Sequence, residues 1–149
     1  MNLIIKQYDP VGNIMSKYKC IDYKYELLEE SSSQTFVIGF YVDEPDLRLR
    51  TDGTLTLLPG YKWDGATGAI DTKKGARGSA VHDALYRLMR SSLLPSTQRK
   101  NADITMRKIW IEDGLSRFRA WYRYGFVRII GKKFAKPQEK PLVKVYRFV

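Results

Sequence analysis

The sequence predicts a single α+β domain in which an antiparallel sheet carries two or three helices on one side. Strand-like alternation and turn signals dominate the chain as far as Gly60, and helical periodicity takes over after it. The chain has 149 residues, of which 44% are hydrophobic, so it is long enough for one core and short for two. Strands followed by helices are typical of an α+β domain. We therefore expect residues 1–149 to form one domain.

The first strands are indicated by aromatic and β-branched residues. Residues 17–28 alternate around tyrosines and Cys20, which favours a strand because such side chains pack well on a pleated surface. Residues 29–33 then indicate a turn, and residues 35–42 form an apolar run of strand length. Cys20 is the single cysteine, so an internal disulfide is excluded, and we expect a buried thiol rather than a nucleophile.

A hairpin is predicted next. Residues 47–50 alternate leucine with arginine, Asp52 and Gly53 supply a turn, and residues 54–58 return as a second strand. This alternation gives the hairpin one buried face and one solvated basic face. The Pro-Gly pair that follows ends the sheet.

Three helices are predicted in the second half of the chain. Val81, Leu85 and Leu88 recur at helical spacing, with Gly78 and Ser79 expected at the N-terminal end of this first helix. A second helix is expected to begin after a Leu-Pro pair, with a serine cap at position 96, and to stop at a glycine at position 114. A third is expected over about residues 116–130, and residues 142–149 indicate a last strand or an extended tail.

The charge of the chain points to anionic partners. Its 26 Lys and Arg against 16 Asp and Glu give a net charge of +10, which attracts nucleic acid, anionic lipid, cell-wall polymers or an acidic protein. The aromatic and basic residues of 121–134 could bind an anionic membrane surface or nucleic acid. We favour the alternative that these aromatics pack on the sheet and the basic residues form a solvated rim. No apolar run predicts a transmembrane segment or a signal peptide, so we expect a cytoplasmic site of synthesis.

The candidate catalytic residues lie around the only histidine, His82. Asp83 is its neighbour, Asp64 lies in a glycine-rich loop, and Asp103 is expected on the next helix. An imidazole can act as a general base while a carboxylate orients it or binds a cation. Alternatively, all four side chains are ligands of a divalent metal, because one nitrogen and several oxygens suit a hard or borderline ion. Either arrangement would activate water for hydrolysis.

A purely structural interpretation of these residues stays open. His82 could be an ordinary helix residue, Asp83 could pair with Arg87, and Asp103 could pair with Arg107 one turn away. The glycines of the loop would then only let the backbone turn, and its tryptophan would be a core residue. The functional interpretation is favoured by the short span, about twenty residues, that holds the loop and the histidine at the expected start of a helix.

The motifs resemble those of a known group of proteins. The order WDGAT over residues 63–67, HDALY over residues 82–86 and an Ala-Asp pair ending at residue 103 is similar to the phage and prophage family catalogued as domain of unknown function 1353. That family has a DGAS-like loop, an HDxLY helix and an Ala-Asp pair on the following helix. The resemblance covers residues 47–114, so the basic helix and tail over 115–149 lie outside it. It implies a viral origin, synthesis in the host cytoplasm and incorporation in the phage particle, and it brings no established activity. The residues on its motif positions are Asp64, Gly65, Ala66, His82, Asp83, Tyr86 and Asp103, with Trp63 preceding the loop and Thr67 standing where serine is more usual.

A narrower resemblance makes a chemical prediction. His82, Asp83 and Tyr86 form a His-Asp-x-x-Tyr pattern similar to the active helix of secreted phospholipases A2, in which the histidine activates water and the aspartate helps to hold calcium. The paired cysteines and the glycine-rich calcium loop of those enzymes are absent from this sequence. The resemblance implies a divalent cation beside Asp83.

These observations lead to two expectations about function. The first is a phage-encoded hydrolase of cell-envelope or cell-wall material, with its pocket between the WDGAT loop and the HDALY helix. In it His82 is the base or a ligand, Asp83 and Asp64 bind or orient, and Asp103 supports from the second helix. The alternative is a non-catalytic virion structural or host-interaction protein whose basic face contacts other virion proteins.

Overall fold

Two antiparallel sheets and three helices make up the part of the chain that the computed structural model describes, residues 5–7, 25–63 and 73–136. The α+β class is therefore confirmed, with the strands divided between two sheets. One sheet has the order β1 (Ile5–Gln7), β2 (Tyr25–Leu27) and β7 (Lys62–Trp63). The other has the order β3 (Ser31–Gln34), β6 (Thr54–Leu57), β5 (Leu47–Leu49) and β4 (Val42–Glu44).

The predicted hairpin is confirmed as β5 and β6. Gly53 in its turn has a φ of 88°, and a Cβ there would lie 2.7 Å from the carbonyl oxygen of Thr35, so only glycine fits. The inward-facing leucines lie opposite each other and are buried, Leu47 with Leu57 and Leu49 with Leu55.

The strand before the hairpin differs from the prediction. The structure has a strand at Ser31–Gln34, where the sequence predicted a turn over 29–33, and it has no strand at residues 35–41, where the sequence predicted one over 35–42. The reason is the length of the partner strand. Gln34 lies opposite Thr54, the first residue of β6, so the paired strand ends there and residues beyond Gln34 face the hairpin turn instead of a strand.

Residues 35–41 form a loop whose backbone groups are bonded elsewhere. The Phe36 N–H donates to the hydroxyl of Thr105 over 3.0 Å, and the Gly39 N–H donates to the Thr51 carbonyl over 2.8 Å. Val37 is fully buried. Val37 therefore packs in the core, whereas Phe36, Ile38 and Tyr41 of the same loop are exposed.

The first helix, α1 (Lys73–Arg90), begins earlier than the sequence predicted. Gly78 and Ser79 were expected at its N-terminus, but both lie inside it. A Cβ on Gly78 would lie 2.5 Å from Cδ1 of Trp110, so this glycine allows the helix to approach its neighbour closely. The hydroxyl of Ser79 donates to the Gly75 carbonyl over 2.8 Å. His82 consequently lies in the middle of α1, and not at a helix N-terminus.

The other two helices agree with the sequence prediction within a few residues. A 3₁₀ turn at Ser96–Gln98 leads into α2 (Arg99–Glu112), so Ser96 lies in that turn and does not cap α2. The third helix, α3 (Arg117–Ile130), begins after Ser116, whose hydroxyl accepts a hydrogen bond from the Arg119 N–H over 3.3 Å. Helix α2 packs against both α1 and α3.

The aromatic residues of α3 do not pack on a sheet, so the interpretation favoured from the sequence is wrong. The exposed fractions are 73% for Phe118, 64% for Trp121 and 67% for Tyr122. Ala120 is the one residue of this helix that is fully buried. No helix in the described ranges combines the length and the apolar character needed to cross a bilayer.

Strand β7 and the residues before it pack against α1 in the core. Trp63 at the end of β7 is 1% exposed, and its ring lies 5.3 Å from the ring of Tyr25 and 5.7 Å from that of Tyr61. The Tyr61 hydroxyl donates to the carbonyl oxygen of Ala80 over 2.9 Å, within α1. The strand that leads toward the WDGAT motif is thus fixed to the helix that carries His82.

Candidate functional site

A buried carboxylate joins the predicted site residues of α1 and α2. Nε2 of His82 lies 2.7 Å from Oδ1 of Asp103, and the hydroxyl of Tyr86 donates to the same oxygen over 2.6 Å. His82 and Tyr86 are one turn apart on α1, so both face the same point on α2. The Asp103 side chain is 0% exposed and that of His82 is 12% exposed. The motif residues HDALY and Ala-Asp therefore meet through His82, Tyr86 and Asp103.

The second oxygen of Asp103 binds cations from two further positions. Arg128 of α3 donates to Oδ2 over 3.0 Å, and the guanidinium of Arg99 lies 3.8 Å from the same atom. Arg99 also donates to the carbonyl of Arg128 over 3.0 Å. Asp103 is thus the polar centre at which all three helices meet.

These contacts keep Asp103 ionised despite its burial. Burial by itself raises the pKa of a carboxyl group, but the hydrogen bonds from His82 and Tyr86 and the guanidinium of Arg128 outweigh it and hold the pKa of Asp103 below its usual value. Burial, reinforced by the neighbouring Asp103, raises the pKa of Tyr86. At neutral pH the pair is therefore an anion and a neutral hydroxyl donor.

The ionised carboxylate determines the tautomer of His82. A carboxylate accepts hydrogen bonds but cannot donate, so Nε2 of His82 carries the proton in this contact. In the neutral imidazole Nδ1 then carries the lone pair and can take a proton. The imidazole ring also packs against the ring of Tyr86, with 4.1 Å between the two ring centroids, which fixes its position. This is the arrangement of a general base held by a positioning carboxylate.

Asp103 does not make the surface ion pair with Arg107 that was left open from the sequence. The guanidinium of Arg107 instead lies over the ring of Tyr124, 4.4 Å from its centroid. The Asp103 side chain is fully buried, and its charged neighbours are Arg128 and Arg99 rather than Arg107.

Asp83 lies on another side of α1. It is half-buried, and burial together with the negative charge of Asp83 raises the pKa of Tyr61. Arg87, the partner suggested from the sequence, forms a bidentate salt bridge with Asp46. Each of two guanidinium nitrogens lies 2.7 Å from one carboxylate oxygen. This contact ties α1 to the turn between β4 and β5.

The predicted metal site stays a prediction. Asp64, Gly65, Ala66 and Thr67 lie outside the described residues, and so does any pocket that the WDGAT loop forms with α1. In residues 25–63 and 73–136 no three side chains from His, Cys, Asp and Glu are placed to hold a metal together. In this arrangement both carboxylate oxygens of Asp103 accept hydrogen bonds from protein groups rather than binding a metal.

Two residues of the site were missed from the sequence. The sequence placed Arg128 only among the basic residues of the third helix and did not single out Arg99, but both guanidinium groups lie within 4 Å of the Asp103 carboxylate, at 3.0 and 3.8 Å. Arg99 lies one turn before Asp103 on α2, so its i, i+4 spacing was a signal present in the sequence. Arg128 belongs to a different helix, and the one signal for it was general: a carboxylate inside an apolar helix face requires cationic or hydrogen-bonding partners.

The chain matches no protein-family model, no curated protein and no solved structure. The resemblances to the phage and prophage family and to the phospholipase helix therefore stay predictions from short motifs.

Proposed function

We propose that this protein is a phage-encoded hydrolase of cell-envelope or cell-wall material in which His82 is the general base. The observation that carries the proposal is the 2.7 Å contact between Nε2 of His82 and Oδ1 of Asp103, a carboxylate that stays ionised in the core. The side chain of His82 is 12% exposed, whereas that of Asp103 is fully buried.

In the proposed reaction Nδ1 of His82 takes a proton from water as the oxygen attacks the scissile ester or amide carbon. The imidazolium that forms carries its positive charge next to Asp103, which favours it electrostatically. His82 then returns the proton to the leaving group, so the enzyme ends in its starting state. Asp83 and Asp64 are proposed to orient the water or, in the metal-dependent alternative, to hold a divalent cation, which would polarise the substrate.

Asp103 is a positioning residue in this scheme. It fixes the ring and the tautomer of His82, and it is itself fixed by the Tyr86 hydroxyl on one oxygen and by Arg128 on the other. With three hydrogen bonds to it, the carboxylate has little freedom to rotate, and the imidazole ring of His82 therefore keeps its orientation.

The test compares the natural chain with His82→Gln. Glutamine keeps an N–H donor for Asp103 but has no basic nitrogen. We expect the natural protein to release soluble products from isolated bacterial envelopes, detected by mass spectrometry, and the variant to do so about 100-fold more slowly or worse. Asp43→Asn, at an exposed position on β4, is the matched control and should release products at the natural rate. No release by the natural chain, or equal release by His82→Gln with its thermal midpoint unchanged, would refute the proposal.

A second function is favoured by the exposed aromatic residues of α3. A non-catalytic virion or host-interaction protein would use such a surface to bind other virion proteins or envelope polymers, and Asp103 would then only join the helices. The same experiment separates the two functions. A binding protein would release no product and would remain on the sedimented envelopes with or without His82.

A further inference from the structure

The amphipathic pattern of α3 is inverted relative to an ordinary surface helix. Ala120 is 0% exposed and Val127 packs on the cluster formed with α2, so one side of α3 faces the protein. Phe118 is 73%, Tyr122 67% and Ile129 81% exposed on the opposite side. Apolar side chains therefore lie where a globular protein normally places charged ones.

The exposed residues form one continuous stripe. Positions 118, 122 and 129 follow the helical spacing i, i+4 and i+11, which places them along one line of the helix over about 16 Å. Trp121 (64% exposed) and Phe126 (48%) lie on the two sides of this line. We call these five residues the aromatic stripe. A contiguous apolar surface of this kind marks a place where something binds.

The charge around the stripe has a single sign. Residues 117–136 contain no Asp or Glu. Arg117 and Arg119 are exposed on opposite borders of the stripe, and Lys132 is exposed just beyond its end. The surface is thus apolar along its centre and positively charged at its edges, which is complementary to an anionic partner with an apolar interior. The cations of this segment are Arg117, Arg119, Arg123, Arg128, Lys132, Lys133 and Lys136.

We propose that α3 binds the surface of an anionic lipid bilayer, lying parallel to it with the aromatic stripe among the acyl chains and the bordering cations on the headgroups. A helix with aromatic and aliphatic residues on one side and Lys or Arg beside them is the type that lies in the bilayer interface. Nucleic acid fits less well, because its bases would stack on aromatic rings, whereas Ile129, the most exposed residue of the stripe, offers no ring. This binding does not depend on hydrolysis by His82.

The tryptophans supply a direct measurement of binding. Trp121 is in the stripe and 64% exposed, whereas Trp63 and Trp110 are each 1% exposed in the core. A change in tryptophan emission on adding vesicles therefore reports Trp121. We expect phosphatidylglycerol vesicles to shift the emission to shorter wavelength, and brominated acyl chains to quench it. Phosphatidylcholine vesicles should give a much smaller response because they carry no net charge.

The matched variants remove the stripe without touching the core. Phe118→Ser with Ile129→Ser keeps Trp121 and should weaken binding to phosphatidylglycerol vesicles by about tenfold or more, since two large apolar side chains no longer enter the bilayer. Tyr41→Ser, at a residue 62% exposed in the loop of residues 35–41, should bind as the natural chain does. Circular dichroism verifies that each variant keeps its helices.

Four results would overturn the proposal. They are no emission change with phosphatidylglycerol, equal binding by the double variant, binding to an oligonucleotide but not to vesicles, and a self-associated chain that the double variant turns into a monomer in sedimentation. The third result would assign the stripe to nucleic acid, and the fourth would assign it to a second copy of this chain.

Discussion

At the scale of single residues, the question is whether Asp103 positions His82 as a catalytic base or only joins the three helices. Its side chain is fully buried and meets His82, Tyr86 and Arg128 at 3.0 Å or less. A buried carboxylate and its partners depend on each other. If the carboxylate loses its charge, the buried groups that face it are left unsatisfied, and the folded state is destabilised. The same contacts that join the helices also fix the imidazole, so structure and proposed catalysis use one group.

Asp103→Asn should therefore destabilise the protein strongly. The amide keeps the size of the side chain but removes the charge that Arg128 and Arg99 face, and we expect a loss of roughly 3–5 kcal/mol in the free energy of unfolding measured with urea. Asp43→Asn is the control, because Asp43 pairs with Arg48 in solvent and should contribute nothing measurable. Equal stability of the two variants would show that Asp103 is not charged in the folded state.

The effect of Asp103 should also depend on pH. Its pKa in the folded state is held below the ordinary value of 3.8, so near that pH the unfolded chain binds more protons than the folded one. Its stabilising contribution is therefore complete above about pH 4 and is lost as the pH falls through the folded-state pKa. The stability difference between the natural chain and Asp103→Asn should shrink as the pH falls below about 4. A difference that grows below pH 4 would contradict this assignment.

At the scale of elements, the close approach of α1 to α2 is what brings His82 to Asp103. Gly78 lies against Trp110, whose indole N–H donates to the Gly75 carbonyl over 3.1 Å. The sequence suggested that this glycine marks the start of the helix, because glycine is unfavourable inside helices. Local propensity contains no information about a neighbouring helix, so the start of α1 could not be predicted from it.

Gly78→Ala should lower stability although alanine is the better helix former. The added Cβ would lie 2.5 Å from Cδ1 of Trp110, and we expect a loss of about 1–3 kcal/mol from overpacking. Gly125→Ala in α3 is the matched control, since a Cβ there would meet no atom within 4 Å, and it should gain up to about 1 kcal/mol. Thermal and urea unfolding measure both. Stabilisation of both variants would mean that α1 and α2 are not in close contact at Gly78.

At the scale of the whole molecule, α1 is held on both sides by arginines. Arg77 donates to Asp113 at the end of α2 over 2.8 Å and to the hydroxyl of Ser33 on β3 over 3.2 Å. Arg87 binds Asp46 in the turn between β4 and β5. The helix that carries His82 is thereby fixed to the second sheet as well as to α2, which gives the site a rigid support.

Much of this architecture could be predicted from the sequence, and the failures have a common physical cause. The hairpin, the second and third helices and the pairing of His82 with the Asp103 helix follow from periodicity, turn residues and motif order. The strand at Ser31–Gln34, the outward face of α3 and the role of Arg128 depend on contacts between distant segments. Periodicity identifies an apolar side of α3, but it does not say whether that side meets the protein or another partner.

The most direct test of the central claim is the nitrogen NMR spectrum of the imidazole. The chain has one histidine, so its ring signals need no assignment. At about pH 8.5, where an ordinary histidine side chain is neutral, we expect the shifts of a single tautomer with the proton on Nε2 and the lone pair on Nδ1. Asp103→Asn should give a mixture of tautomers. A proton on Nδ1 in the natural chain, or the same mixture in both proteins, would contradict the assignment of His82 as a base positioned by Asp103.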